Sequence, residues 1–185
     1  MNTEYRTILM DPPWNESGQG RIKRGADNHY PLIKSKDMFP TISKGIQEKG
    51  TIHKDAHCYI WVTNSFLKDG LELMEQLGFR YITNIVWVKD RFGLGQYFRG
   101  QHELILFGAK GRFYRNKIPD RLCASVIRAK RRKHSQKPDE QYTRIESISA
   151  GPYLELFART ARMGWSSWGS EAKGMDSKIG QTKLL

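Results

Sequence analysis

The sequence predicts an α/β domain built on a mostly parallel sheet, and three observations predict it. Residues 58–63 (Cys-Tyr-Ile-Trp-Val-Thr) are a continuous apolar run of strand length. A helical pattern with apolar positions at Leu67, Leu71 and Met74 follows, and a further strand over residues 82–89 comes directly after it. Strand, helix, strand alternation is how parallel strands are joined, because the crossover must return over one face of the sheet. The 185 residues, 38% hydrophobic and 27% charged, are enough and ordinary enough for one domain with its own core.

Taken in order, residues 5–10 are apolar and β-branched and stop at Pro12-Pro13, so a buried strand delivers Asp11 to its carboxyl end. Residues 15–28 turn to Gly, Ser, Arg and Lys without periodicity and read as a loop. Asn64 or Ser65 is placed to cap the helix that ends at Gly78. Residues 90–101, rich in Gly, Arg and aromatics, form a second loop before a strand over 102–108. Pro138 suits the first position of another helix, with Asp139 and Glu140 at its positive end and Tyr142, Ile145 and Ile148 as its buried stripe. A last strand over 153–158 leads to Gly164-Trp165-Ser166-Ser167-Trp168-Gly169. The expected division is a single domain over residues 1–170 and a flexible polar tail over 171–185. There is no internal repeat.

The chain carries 31 Lys and Arg against 19 Asp and Glu, a net charge of +12. Such an excess draws polyanions, nucleic acid before an acidic membrane surface. It is densest at 110–133, where ten Lys and Arg face the single acid Asp120. Within that stretch Arg128, Lys130, Arg131, Arg132 and Lys133 are candidate phosphate contacts. Cys58 and Cys123 stand in no metal-ligand spacing and in no disulfide framework, and they read as reduced thiols. No stretch has the make-up of a signal peptide or the length of a membrane span, so a cytoplasmic protein without a membrane partner is expected.

Asp11-Pro12-Pro13-Trp14 carries the chemistry. An aromatic exocyclic amine is a weak nucleophile because its lone pair is delocalised into the ring, and hydrogen-bond acceptors on its two protons oppose that. A carboxylate at Asp11 and the backbone carbonyl of Pro12 are two such acceptors, and Pro12 and Pro13 restrict the backbone that aims the carbonyl. Trp14 offers a flat face on which an unstacked base can lie. The same four residues also read as an ordinary strand-to-turn ending with a core tryptophan. His134, Trp165 and Trp168 read as structural. Gly18, Gly20 and Gly25 make no phosphate-binding fingerprint.

Three blocks in this order resemble the β-class adenine-N6 methyltransferases, in the family of the seventy-kilodalton mRNA adenosine methyltransferase subunit. They are Asp11-Pro12-Pro13-Trp14, then Lys133-His134-Ser135-Gln136-Lys137-Pro138-Asp139-Glu140, then Glu155-Leu156-Phe157-Ala158-Arg159 with Gly164-Trp165. With Tyr59 to Asn64 and Val86 to Lys89 the resemblance covers residues 5–171. It implies a Rossmann-like methyltransferase fold with helices on both faces, and S-adenosylmethionine lying across the carboxyl ends of the strands. It implies that Asp11 and Pro12 hold the target amine, that Trp14 stacks the base and that Tyr30 stands beside it.

For the cofactor the resemblance implies Lys137 at its methionine part, Phe157 and Arg159 around its ribose and adenine, Asp11 and Glu103 lining the pocket, and Ser170 and Glu171 close to family positions held by Asn and Gln. Those last two differ in identity from the family's residues. Longer relatives also carry an Asp-containing segment that reaches the cofactor adenine, upstream of where this chain is expected to begin. The expected activity is methylation of adenine N6 in DNA. RNA is the alternative polymer, and a non-catalytic nucleic-acid-binding subunit is the rival of another class. A second copy or a related subunit is an expected partner.

Overall fold

Tyr5, Thr7, Ile8, Leu9 and Met10 are all buried, so β1 (Thr3–Met10) runs as a strand covered on both faces rather than one that alternates with solvent. The structure, a computed structural model, describes residues 2–14, 33–93, 97–112, 123–132 and 136–169. After β1 come α1 (Ser35–Lys49), β2 (Gly50–Val62), a short 3-10 turn (Asn64–Phe66), α2 (Leu67–Gln76), β3 (Arg80–Val88), β4 (His102–Lys110), β5 (Val126–Arg128), α3 (Glu140–Ile148), β6 (Tyr153–Leu156) and β7 (Trp165–Trp168). Of the sequence-derived expectations, the loop over 15–28, Tyr30, Lys133, His134, Ser170, Glu171 and the tail 171–185 lie outside the described residues.

The described strands form one sheet in the order β5-β3-β4-β2-β1-β6-β7. β1 pairs in parallel with β2 and β6, β6 with β7, and β3 with β5, while β4 runs antiparallel to both β2 and β3. The sheet is therefore mixed, with β4 the reversed strand. β4 is tied back to β3 at the neck that joins them, where Lys89 N–H bonds Gln101 O (2.8 Å) and Gly93 N–H bonds Gly100 O (2.6 Å). These bonds pair the two sides of the neck directly, so β4 lies beside β3 in the opposite direction.

Both faces are covered. Ile8, Met10, Cys58, Ile60, Leu154 and Leu156 point to one side, where Met38, Ile42 and Ile46 of α1 and Leu73 and Met74 of α2 complete the layer. Leu9, Tyr59, Trp61 and Ile105 point to the other, where Ile145 of α3 and Trp165 meet them. The alternation of Ile8, Leu9 and Met10 between the two layers is the period of two expected of a strand.

α1 was not expected from the sequence. Its buried positions are Met38, Ile42, Gly45 and Ile46, and Pro40 and Gly45 interrupt its helical pattern. Gly45 lets the helix approach the sheet closely, since a Cβ there would stand 2.8 Å from the Trp168 ring. α2 ends as expected at Gly78, whose φ of 79° is left-handed. Gly78 N–H reaches Glu75 O (2.8 Å) and Phe79 N–H reaches Met74 O (3.0 Å), the paired bonds of a Schellman ending. At the other end Asn64 and Ser65 form the 3-10 turn and no side-chain cap bond is made, which corrects the expected capping role. α3 starts at Glu140 rather than Pro138, because Pro138 O and Asp139 O accept from Gln141 N–H and Tyr142 N–H in a tighter first turn. Among the described residues no helix is long and apolar enough to cross a membrane.

Candidate active site

β1 carries the chain to Asp11 at the carboxyl edge of the sheet, and the two prolines then turn it. Trp14 N–H bonds Pro12 O at 2.8 Å, an i to i+2 turn centred on Pro13, whose ring holds φ close to what that turn needs. Pro13 O accepts from Ile33 N–H at 3.0 Å. A carbonyl oxygen has two lone pairs, so Pro12 O retains one acceptor site beside the Asp11 carboxyl.

Trp14 does not offer the open flat face expected of it. The residue is 6% exposed, its ring stacks on Phe66 with centroids 5.4 Å apart, and its indole N–H donates to Trp61 O at 2.9 Å. A large apolar body with one donor is satisfied in full by this slot at the end of β2, so Trp14 fixes the Pro-Pro turn to the core. The base-stacking role is corrected accordingly.

Asp11 is one end of a chain of alternating charges. Lys137 Nζ stands 2.9 Å from Asp11 Oδ1 and 3.3 Å from Glu103 Oε2, and Lys89 Nζ bonds the other Glu103 oxygen. The four side chains are between 14% and 24% exposed. Lys137 Nζ also lies 5.1 Å from the centre of the Trp61 ring, which is held by its own N–H to Gln141 Oε1 at 2.7 Å. Burial works against the Glu103 carboxylate, but Lys137 and Lys89 outweigh it and hold its pKa below the usual value. Burial also works against charge on Lys137, and Asp11 and Glu103 overcome this and push its pKa up to about 12. Lys137 is a fixed cation across the physiological range.

A second carboxyl faces the same space. β6 lies beside β1 with Glu155 opposite Leu9. The Tyr142 hydroxyl lies 3.0 Å from each Glu155 oxygen and donates to this carboxyl. Burial, with the Asp11 charge adding to it, pushes the Glu155 pKa up to about 7 against the opposing Tyr142 bond and the Arg162 charge. Asp11, Lys137, Tyr142, Glu155, Phe157, Arg159 and Arg162 line a cavity of about 340 Å³. It opens at the carboxyl ends of β1 and β6. There β1 leaves through α1 on one face of the sheet, while α3 on the opposite face leads into β6, so the strands part at a topological switch point. Phe157, at the tip of β6, has φ 60°, a left-handed conformation that costs a bulky residue about 1–3 kcal/mol. Its ring packs edge-on against Trp168, and the bend lets Ala158 N–H bond Trp168 O at 3.1 Å while Arg159 reaches the cavity.

The structure thus gathers Asp11, Lys137, Phe157 and Arg159 on the cavity wall, with Glu103 off the lining but bonded to Lys137, and with Pro12, Pro13 and Trp14 forming the turn that follows Asp11. Arg128, Lys130, Arg131 and Arg132 are exposed and stand apart, on and beyond β5. Arg132 touches the rim through Asp139 (2.6 Å), and Arg131 is tied by its N–H to Asp90 Oδ1 (2.9 Å). Lys89, Tyr142, Glu155 and Arg162 were not expected as site residues. Glu155 does carry a signal, a lone carboxylate inside the apolar run Tyr153-Leu154-Glu155-Leu156-Phe157, where burial without a purpose is rare.

A cation facing a carboxyl across a small cavity, with an aromatic wall and two further arginines, fits a ligand that carries a carboxylate and an ammonium at one end and a ring at the other. Comparison with known proteins gives a match to one family model, described as MT-A70, over residues 5–171. The chain is 28% identical over 202 residues to the Type II methyltransferase M.MunI of Mycoplasma sp, which covers 95% of this chain and 80% of that protein. It is 30% identical over 182 residues to the N(6)-adenosine-methyltransferase MT-A70-like protein of Arabidopsis thaliana, covering 92% of this chain and 24% of that protein. It is 27% identical over 186 residues to the N(6)-adenosine-methyltransferase catalytic subunit METTL3 of Homo sapiens, covering 93% and 29%. The chain spans about a quarter of the length of the plant and animal relatives it matches.

Proposed function

The chain belongs to the MT-A70 adenine-N6 methyltransferase family, and from that premise we propose that it transfers a methyl group from S-adenosylmethionine to the exocyclic N6 amine of adenine in DNA. The observation that carries this reading is Asp11 at the tip of β1, bordering the cavity and bonded to Lys137 at 2.9 Å. Asp11 and the free lone pair of Pro12 O present two acceptors to the two protons of an amine, which keeps the nitrogen lone pair off the ring. Lys137 faces the carboxylate of the methyl donor, with Phe157 and Arg159 beside its ribose and adenine. The donor supplies a methyl group on a positively charged sulfonium, so the chain's residues have mainly to position the amine and need no strong base.

The relative named as a Type II methyltransferase supports DNA as the polymer. RNA is the second reading, favoured by the relatives named as N(6)-adenosine methyltransferases. The intact Asp11, Lys137 and Glu103 network speaks against a non-catalytic subunit, which would have no use for acceptors aimed at an amine. Free cysteines at Cys58 and Cys123 suit a cytoplasmic protein.

Labelled methyl donor offered with DNA and RNA oligonucleotides tests the proposal. Transfer to DNA adenine is expected, with Asp11→Ala lowering it by about 100-fold or more because the amine loses its fixed acceptor. Transfer to RNA alone would establish the second reading, and transfer to neither would refute both.

A further inference from the structure

Resting on the nucleic-acid reading above, we propose that the hairpin between β3 and β4, with the arm that follows β5, takes an unpaired strand of nucleic acid beside the target base. Tyr97 and Phe98 are its stacking platforms, and Arg128 and Lys130 its phosphate contacts. Tyr97 is 103% exposed, Phe98 87% and Phe92 60%. Soluble proteins scatter exposed large apolar side chains singly, and three within seven residues mark a surface with an occupant.

The surroundings say which occupant. Arg91 and Arg99 flank the aromatics, and Arg99 Nε donates to Gly93 O at 3.1 Å across the hairpin. The nearby acid, Asp90, is already engaged by Arg131 N–H at 2.9 Å and by Arg91 at 3.6 Å. Ala129 N–H bonds Val88 O at 3.4 Å, so the arm runs alongside the hairpin root. The end of β5 and this arm bring exposed Arg128 and Lys130, neither of which has an ion-pair partner among the described residues. Flat apolar faces interleaved with uncompensated cations match a single strand, which offers ring faces and phosphates together. A duplex keeps its base faces stacked and would leave the rings without partners. The hairpin also leaves the sheet at the carboxyl end of β3, the edge to which β1 delivers Asp11. Its root residue Lys89 is joined to Asp11 through Glu103 and Lys137.

The test uses the full chain and a fluorescent adenine-containing single-stranded oligodeoxynucleotide, with anisotropy read over a range of salt. Tyr97→Asn with Phe98→Ser is expected to weaken binding by about tenfold or more per lost stack while leaving the salt slope unchanged. Tyr97→Trp with Phe98→Trp should restore it. Arg128→Ser with Lys130→Ser should lower the salt slope by about 0.7 for each cation. Binding of S-adenosylhomocysteine, measured by calorimetry, should be equal in all of them, which shows that the fold and cavity are intact. If the wild-type chain binds the strand and the aromatic variant binds it equally well, this inference fails and the functional reading stands. If the wild-type chain binds no nucleic acid, both fail. If the wild-type chain sediments as a dimer and the aromatic variant as a monomer, the surface belongs to a protein partner and the inference is overturned.

Discussion

Glu155 occupies a position that a free carboxylate would leave if it could. It lies in a strand between Leu154 and Leu156, both fully buried, beside a second carboxyl at Asp11, and among the described residues the Tyr142 hydroxyl is what satisfies it directly. Its folded pKa of about 7 stands above the ordinary 4.5. The folded state therefore holds the proton more tightly than the unfolded state, and the contribution to stability is complete below pH 4.5 and lost as the pH rises to about 7. The change is on the order of 3 kcal/mol, since each pKa unit is worth about 1.4 kcal/mol. Glu155→Gln is expected to remove this slope, so that thermal unfolding midpoints followed between pH 4 and pH 8 decline in the wild-type chain and stay flatter in the variant. An equal decline in both would mean that another group titrates. Residue-scale features of this kind are partly legible in sequence. Asp11 and Lys137 stand out by the chemistry around them, whereas the meeting of Glu155 with Asp11 depends on β6 lying next to β1, which no local pattern states.

Elements differ in how openly the sequence declares them. β1, β3, β4 and β6 are apolar runs, as is the second half of β2, and α2 has both its stripe and its terminal Gly78, so each is readable from its pattern, whereas the polar first half of β2 is not. β5 is not, because three residues with one buried side chain, Ile127, sit inside a stretch read for its charge. α1 is not, because Pro40 and Gly45 disguise a helix whose stability comes from docking rather than propensity. Reversal of β4 is also hidden, since the pairing of the hairpin neck decides it. Gly45 allows a prediction for the element as a whole. Alanine is the better helix former by about 1 kcal/mol, yet a Cβ at 2.8 Å from the Trp168 ring forces helix and strand apart, at about 1–3 kcal/mol for overpacking. Gly45→Ala should therefore lower the denaturant midpoint, and a raised midpoint would show that the helix does not bear on Trp168.

At the scale of the whole molecule, the sheet brings to one edge what the chain holds far apart. Asp11 leaves β1, Lys89 leaves β3, Glu103 stands in β4 and Lys137 precedes α3, and they meet as an alternating series of cation and anion. The overall charge of +12 was plain from composition, while this local cancellation required the fold. A series of this kind has a parity. With four members it sums to zero, and with three it cannot, whichever member is missing. Loss of Lys89, the member furthest from Asp11, leaves one negative charge in excess among side chains that are mostly out of water, and removing one partner of a buried pair typically costs about 3–5 kcal/mol. Lys89→Met and Glu103→Gln should each be markedly destabilising. Combined, they leave the Lys137 and Asp11 pair alone and neutral, so the double variant should be more stable than the sum of the two losses predicts, as denaturant unfolding of all four proteins would reveal. Odd and even, rather than near and far, is the rule by which this edge of the sheet tolerates change.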